Sequence, residues 1–153
     1  IPTQKMKKHF VYTENMLKEA KNAYAKRGQS MESLNFERQD ATDLSYEKEC
    51  VDAVMIANAL HIMPEPEKAL AEIWRVLKPD GLLFAPTFMY QEGGGFLIRS
   101  GFFKLFGFKA YMNLHGKEFA EFIEKQGFQV LECDIIKCKV SPLCCLIARK
   151  REV

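Results

Sequence analysis

Two side chains in the sequence could take part in chemistry at the ends of predicted strands. Asp40 follows a short strand predicted from about Leu34 to Gln39, and His61 lies just after an apolar strand that begins at Val51. In an open α/β sheet, a carboxylate at the carboxyl end of a strand points into the ligand crevice. A neutral imidazole at such a position could accept a proton from a hydroxyl or an amine. The pattern therefore predicts a ligand crevice with His61 as the candidate catalytic residue.

Simpler structural roles are open for the same residues. Asp40 could cap a turn with Asp43, because aspartate often bonds to the backbone a few residues along the chain. Asn58 is a common turn residue, and His61 could pack and hydrogen-bond at a pocket floor. The sequence shows no Ser/His/Asp constellation, and its three histidines are scattered without matching acids, so no metal site is predicted.

The composition is that of an ordinary soluble domain. The chain has 153 residues, 48% hydrophobic and 27% charged, which suits a single domain over residues 1–153. Its 22 lysines and arginines nearly balance its 20 acids, so bulk charge does not indicate nucleic-acid binding. No apolar run reaches the ~18 to 20 residues of a membrane-spanning helix, and the first residues lack a signal-peptide core. We therefore expect a cytoplasmic protein.

The cysteine pattern indicates neither a disulfide framework nor a zinc ribbon. The five cysteines are odd in number, and no two of them are spaced as Cys-x-x-Cys. Free cysteine is usually buried in intracellular proteins. We therefore expect reduced thiols.

Helical and strand-like segments alternate along the chain, which predicts an α/β fold. The clearest helix begins at Pro66, and Lys78-Pro79-Asp80-Gly81 should end it. Two final strands, at about 130–136 and 143–149, are too close in sequence for a helical crossover and should form an antiparallel hairpin. The other predicted elements are a helix between Thr13 and Gly28, an apolar strand from Val51 to Ala57 covered on both faces, a strand from Leu82 to Ala85 and a helix from Lys117 to Gln126.

Several short motifs follow one another in a fixed order between Val11 and Lys150. They are Glu14-Asn15-Met16-Leu17, Gln39-Asp40-Ala41-Thr42-Asp43-Leu44, Val51-Asp52-Ala53-Val54, Asn58-Ala59-Leu60-His61 and the segment from Ala69 to Gly81. In this order and spacing the sequence resembles the class I S-adenosylmethionine-dependent methyltransferases, in particular their small-molecule branch. The resemblance implies a Rossmann-like, doubly wound, mostly parallel sheet with an antiparallel C-terminal hairpin.

The resemblance also implies a cofactor and the residues that bind it. The cofactor would be S-adenosylmethionine, with Asp40 accepting a hydrogen bond from the adenine amino group and the backbone of Ala41 meeting the ring edge. Asn58 and Ala59 would line the pocket near the methionine part. The implied reaction is methyl transfer by in-line displacement to a small-molecule or lipid-like acceptor, a reaction that depends mainly on positioning.

The sequence departs from the family pattern at its beginning. The family's first strand and glycine-rich turn are not found before Thr13, and Val11 occupies the position of the acid that holds the ribose. The missing strand would lie at the centre of the sheet, so its slot should be filled by residues upstream of Ile1, by Lys5 to Tyr12, or by a partner chain. We expect the first, which makes the domain N-terminally incomplete. The alternative function is a non-catalytic binding or regulatory module that has lost the cofactor site.

The segment 93–117 is basic and rich in aromatic residues. Its charged residues are all cations: Arg99, Lys104, Lys109 and Lys117. The glycines at 93–95 are interpreted as a hinge. In the family this stretch usually closes over the acceptor, so the composition favours an apolar or anionic acceptor, or contact with a membrane surface. Cover for the core or a homodimer contact is the structural alternative.

Overall fold

The computed structural model describes residues 7–11, 14–26, 34–89, 116–137 and 142–151. Their contacts divide them into two units, the first ending at Ser45 and the second beginning at Tyr46. Residues 93–115 of the basic and aromatic segment lie outside the described residues, so its predicted role as a cover for the acceptor stays a prediction. Within the described ranges, no helix is both long enough and apolar enough to cross a bilayer.

The first unit is a β-α-β arrangement. Strand β1 (Lys7–Val11), helix α1 (Glu14–Ala25) and strand β2 (Leu34–Arg38) follow in order, and the two strands pair in parallel. Side chains alternate along β2, with Leu34 and Phe36 buried. The ring of Tyr24 on α1 packs edge-on against Phe36, with centroids 5.8 Å apart. The predicted helix and strand are confirmed, while the expected cap Thr13 lies outside the described residues.

The second unit contains the larger sheet. Its elements are β3 (Val51–Met55), a 3₁₀ helix (Leu60–Ile62), α2 (Pro66–Val76), β4 (Leu77–Phe84), β5 (Thr87–Phe88), α3 (Gly116–Lys125), β6 (Phe128–Ile136) and β7 (Leu143–Lys150). Strand β3 pairs with β4 in parallel, whereas β7 pairs antiparallel with β4, β5 and β6. Four of these five strands therefore run in one direction and β7 runs in the other. This confirms the α/β class, the mostly parallel sheet and the C-terminal hairpin.

The core of the second unit lies where the two helices pack against the sheet. On α2, Ala69, Leu70, Ile73 and Val76 are buried at helical spacing, as their sequence pattern predicts. The fully or nearly fully buried side chains that fill this core include Leu60, Leu70, Ile73, Leu83, Phe119, Ile123, Phe128 and Leu146. Because Leu60 belongs to the 3₁₀ helix, the core also anchors the turn that carries His61.

The end of α2 differs from the expectation. The helix stops at Val76 and the chain enters β4 at Leu77, before the Lys-Pro-Asp-Gly motif that was expected to end it. Leu77 lies opposite Val51, the next paired residue of β4 is Leu82, and the motif forms an irregularity in the ladder. Added to Gly81, a Cβ would lie 2.8 Å from the Lys78 carbonyl oxygen, so this bend requires glycine.

Strand β3 is also less covered than its apolar sequence predicts. Asp52, Ala53 and Met55 are exposed, so the expectation that both faces are buried was wrong for the described chain. The reason is position: β3 ends the strand order, and β4 is its strand partner among the described residues. Asp52 Oδ1 accepts a hydrogen bond from Lys78 Nζ at 3.1 Å. An upstream strand beside β3 stays a prediction.

Lys150, the last residue of β7, is buried and bonds to the start of β4. Alternation along β7 turns Lys150 inward, where it is 4% exposed. Its Nζ atom donates to the Leu77 carbonyl oxygen at 2.7 Å, lies 3.5 Å from Glu49 Oε1 and sits 4.1 Å from the centre of the Trp74 ring. A buried ammonium group needs such partners because desolvation disfavours its charge.

Candidate functional site

Asp40 forms a tight turn directly after β2. Its Oδ1 atom accepts hydrogen bonds from the backbone N–H of Thr42 at 2.9 Å and from Thr42 Oγ1 at 2.8 Å. The Asp40 carbonyl oxygen accepts a third bond from the N–H of Asp43 at 3.1 Å. This is the local pattern by which aspartate stabilises a turn. Asp40 therefore stabilises a turn, with Thr42 rather than the Asp43 side chain as the partner of its carboxylate.

A neighbouring residue that sequence reasoning missed braces this turn. Gln39 Oε1 accepts a hydrogen bond from the N–H of Ser45 at 3.2 Å, while Gln39 Nε2 donates to Glu37 Oε2 at 3.3 Å. The other oxygen of Glu37 accepts a bond from Asn35 Nδ2. These polar residues alternate along one face of the strand, and that alternation was the available signal. The side-chain ladder fixes both ends of the loop that carries Asp40.

A polar hollow of about 410 Å³ opens beside the turn. It is lined by Arg38, Gln39, Asp40, Asp43 and Ser45. The Asp40 residue is exposed, and an exposed carboxylate in a polar hollow can accept hydrogen bonds from an amino group of a ligand. Ala41, predicted to meet the adenine ring through its backbone, lies half-buried in the same turn.

Asn58 shapes the carboxyl end of β3. Its backbone has φ +51°, a left-handed conformation that asparagine tolerates better than most residues. Its N–H donates to the Pro86 carbonyl oxygen at 2.8 Å, and its side-chain Oδ1 accepts a bond from the N–H of Phe88 at 3.1 Å. Asn58 therefore links the end of β3 to β5. Ala59 follows and accepts a bond from the N–H of Ile62 at 3.0 Å, which closes the 3₁₀ turn.

His61 lies in that 3₁₀ turn and is half-buried. Its Nδ1 atom is buried and has no hydrogen-bond partner within the described residues. Burial lowers the pKa of His61 below its ordinary value, because the low-dielectric surroundings disfavour the charged ring. This favours the neutral imidazole, which is the form that can accept a proton.

Exposed apolar side chains lie on the elements that flank Asn58 and His61 or bond to them. Met55 ends β3, Phe88 lies on β5 and Ile62 follows His61, and their exposed fractions are 69%, 46% and 36%. Single exposed apolar residues are ordinary, but a group of them around a strand end is typical of a ligand surface. Asp40 and Ala41 belong to the first unit, and the other predicted site residues belong to the second.

A protein-family comparison agrees with the fold and with both strand ends. A family model described as a methyltransferase domain matches residues 10–85, which include the Asp40 turn and the Asn58-Ala59-Leu60-His61 turn. The solved structure of an S-adenosylmethionine-dependent methyltransferase from Methanosarcina mazei is similar with a TM-score of 0.75 and 15% identity, covering 95% of this chain and 82% of that one. Over residues 10–85 the chain therefore belongs to the methyltransferase-domain family, and the solved structure shares its fold.

Two curated relatives are similar to part of this chain. An uncharacterized chloroplastic methyltransferase of Arabidopsis thaliana is 39% identical over 88 residues, which cover 56% of this chain and 25% of the relative. The ubiquinone/menaquinone biosynthesis C-methyltransferase of Zymomonas mobilis is 36% identical over 67 residues, covering 44% of this chain and 28% of the relative. The chain thus spans about a quarter of the length of the curated relatives it matches.

Proposed function

We propose that the protein carrying this chain methylates an apolar small-molecule acceptor, with the Asp40 turn holding the adenine end of S-adenosylmethionine. The observation that carries the proposal is the exposed Asp40 carboxylate beside a polar hollow, with one of its oxygens fixed by Thr42. The cofactor, when bound, supplies a methyl group activated by a positively charged sulfur. Family membership supports the same cofactor.

The described residues suit the adenine end of the cofactor. Asp40 would accept a hydrogen bond from the adenine amino group, and the Ala41 backbone would meet the ring edge. Asn58 and Ala59 would line the methionine part, with Asn58 acting through the shape of the turn because its Oδ1 is bonded to Phe88 N–H. Val11 ends β1 and has no side-chain acceptor for ribose hydroxyls. We therefore assign no ribose contact to the Val11 side chain.

Replacing Asp40 by asparagine tests the adenine contact. Asparagine keeps an oxygen for Thr42 but replaces the second carboxylate oxygen with an amide group, which cannot accept from adenine. A hydrogen bond to a charged group contributes about 1.5 to 3 kcal/mol, so affinity for S-adenosylhomocysteine should fall about 10- to 100-fold in calorimetric titration. The melting temperature should stay close to that of the wild type.

The control is the same chemical change at an exposed site on β6. Asp134→Asn removes a carboxylate from an exposed strand position and should bind S-adenosylhomocysteine like the wild type. If Asp40→Asn and the wild-type protein bind S-adenosylhomocysteine with equal affinity, Asp40 does not contact the cofactor. If neither protein binds millimolar ligand, the cofactor assignment itself is wrong.

His61 would act on the acceptor side as a proton acceptor. A neutral imidazole can take the proton of an acceptor hydroxyl or amine as the methyl group is transferred, which leaves a more electron-rich nucleophile. The exposed apolar side chains of Met55, Ile62 and Phe88 suit an apolar acceptor body. The relative from Zymomonas mobilis, named for quinone biosynthesis, supports the same acceptor class.

Phe88→Ser tests the apolar acceptor surface. The side chain is 46% exposed, so its burial by an acceptor should contribute about 1 kcal/mol. The KM for a naphthoquinol probe should therefore rise about fivefold while the affinity for S-adenosylhomocysteine stays unchanged. Leu131→Ser on β6, where the side chain is 41% exposed, is the matched control. An unchanged KM in Phe88→Ser, or an equal rise in the control, would contradict this placement.

The second candidate function is a non-catalytic binding or regulatory module. Val11 at the position of the family's ribose-binding acid is the observation that favours it. Such a module would not bind S-adenosylhomocysteine at millimolar concentration and would show no methyl transfer to any acceptor. Cytoplasmic location stays a prediction, as do membrane contact and homodimer formation through residues 93–117.

A further inference from the structure

Two thiols of the second unit meet across the β6–β7 hairpin. Cys133 lies opposite Leu146 and Cys144 opposite Ile135, so the two cysteines are diagonal neighbours on one face of the sheet. Their Sγ atoms are 3.2 Å apart. Because the sulfurs of a disulfide are ~2.05 Å apart, an approach of about 1.2 Å would bring these two to bonding distance. The hairpin register thus preorganises a sulfur pair.

The two thiols differ in their surroundings. Cys144 is fully buried, and this burial together with the hydrogen bond to Cys133 raises the pKa of the Cys144 thiol to about 12. Cys133 is half-buried, and its Sγ also lies 3.6 Å from the carbonyl oxygen of Gly116, the first residue of α3. A small oxidant arriving from solvent therefore reaches Cys133 before Cys144. The proposed methyl transfer uses neither thiol.

We propose that Cys133 and Cys144 form a site of oxidative modification, at which hydrogen peroxide converts the two thiols into an intrachain disulfide. The Cys133 sulfur attacks one peroxide oxygen, so that an S–O bond forms and the O–O bond breaks. The departing hydroxide takes up the thiol proton and leaves as one water, and Cys133 becomes a sulfenic acid. The Cys144 sulfur then attacks the Cys133 sulfur, the S–S bond forms and the S–O bond breaks. The hydroxyl group that leaves Cys133 takes up the Cys144 proton and departs as the second water. In total, two thiols are oxidised and one peroxide is reduced.

The disulfide would change the contacts of the hairpin with α3. The hydrogen on Cys133 Sγ is lost on oxidation, and the contact with the Gly116 carbonyl oxygen can no longer be a hydrogen bond. Gly116 itself packs against Ile135 on β6, since a Cβ added to it would lie 2.8 Å from Ile135 Cδ1. Oxidation therefore acts at a tightly packed junction between the hairpin and the start of the helix.

Peptide mapping tests the proposal directly. The purified protein is treated with hydrogen peroxide, its remaining thiols are blocked with N-ethylmaleimide, and it is digested with trypsin without reductant. Cleavage after Lys125, Lys137, Lys139 and Arg149 places Cys133 in peptide 126–137, and Cys144 with Cys145 in peptide 140–149. The expected product is a covalent pair of these peptides that lacks two hydrogens and is separated by dithiothreitol. Cys138 lies in a third peptide, so its linkage is distinguished by mass.

Serine variants identify the partner and provide the controls. Cys145→Ser and Cys50→Ser should keep the link, whereas Cys133→Ser and Cys144→Ser should lose it while retaining wild-type circular dichroism. Peroxide treatment in urea should abolish the selectivity, because the hairpin register brings the sulfurs together. A link that persists in Cys144→Ser, a link to Cys138, or complete labelling of all five cysteines after peroxide treatment would each overturn the proposal.

Discussion

The turns that follow β2 and β3 carry the predicted site residues of the two units, and they hold those residues in contrasting ways. At β2, Asp40 and Gln39 bond to their own loop, which holds the carboxylate in place. At β3, the buried Leu60 fixes the turn, while the Nδ1 atom of His61 has no partner within the described residues. A buried polar group without a partner costs about 1 to 3 kcal/mol. The carboxylate at the first end is held by its own loop, whereas the second end keeps an unused hydrogen-bonding nitrogen; this contrast suits the proposed roles of Asp40 in cofactor binding and of His61 in proton transfer.

Replacing His61 by glutamine should have the largest effect of the changes at these two turns, and the effect should be on the reaction rate. A positioned general base typically contributes about 10²- to 10⁴-fold to the rate, so kcat should fall by that factor. Glutamine keeps a polar side chain of similar reach but cannot take up a proton at neutral pH. Affinity for S-adenosylhomocysteine, measured by titration calorimetry, should not change. A kcat within about threefold of wild type would show that His61 only packs at the pocket floor.

The pH profile sharpens the same prediction. Burial lowers the pKa of His61, so the neutral base should persist down to a pH of about 6.5 and activity should fall only below it. The unfolded chain binds this proton more readily than the folded chain, so stability also declines as the pH falls through that range. Melting temperatures recorded in parallel separate the two effects. A profile that His61→Gln leaves unaltered would exclude titration of His61 as its cause.

Changes at Asn58 should have an intermediate effect and should lower the free energy of unfolding. Alanine loses the hydrogen bond from Phe88 N–H and is strained at φ +51°, which together should cost about 2 kcal/mol in urea unfolding. Glycine loses the same bond without the strain and should cost about 1 kcal/mol. The difference between the two variants measures the strain. Equal destabilisation would show that the left-handed backbone of Asn58 is not costly for alanine.

Thr42→Val should have the smallest effect, on the affinity for the cofactor. It tests how much the bonds from Thr42 contribute to holding the Asp40 carboxylate. Valine keeps the shape and the backbone N–H bond to Asp40 but removes the hydroxyl that donates at 2.8 Å. An exposed hydrogen bond contributes about 0.5 to 1 kcal/mol, so affinity for S-adenosylhomocysteine should fall by a factor of about two to five. A loss as large as that expected for Asp40→Asn would mean that the hydroxyl, rather than the carboxylate, contacts the ligand.

The sequence was a good guide where the chemistry is local. The helical spacing of apolar residues on α2 and the short connection between the last two strands both predicted what the structure has. Asp40 could be placed at a strand end because turn-forming aspartate leaves a clear local pattern. Its partner Thr42 was not predicted. The backbone path of the turn decides which nearby donor bonds to the carboxylate, and the sequence does not give that path.

Features that depend on neighbours far along the chain were not predicted. Lys150 looks like a surface residue in sequence, yet it is buried because Leu77, Glu49 and Trp74 supply its partners. Strand β3 looks buried in sequence, yet it is partly exposed because it lies at the end of the strand order among the described residues. The approach of Cys133 to Cys144 likewise depends on the register of β6 against β7. None of these pairings leaves a periodic signal in either segment alone.

The amino-acid order by itself determined the α/β class, the family and the positions of Asp40 and His61 after their strands, because periodicity, turn chemistry and motif spacing act over a few residues. Tertiary structure alone decided that Asn58 bonds to β5. It also decided that the Nδ1 atom of His61 is buried. Burial and hydrogen-bond partners are properties of segments brought together by folding, and the free energy of each side chain depends on which segments those are.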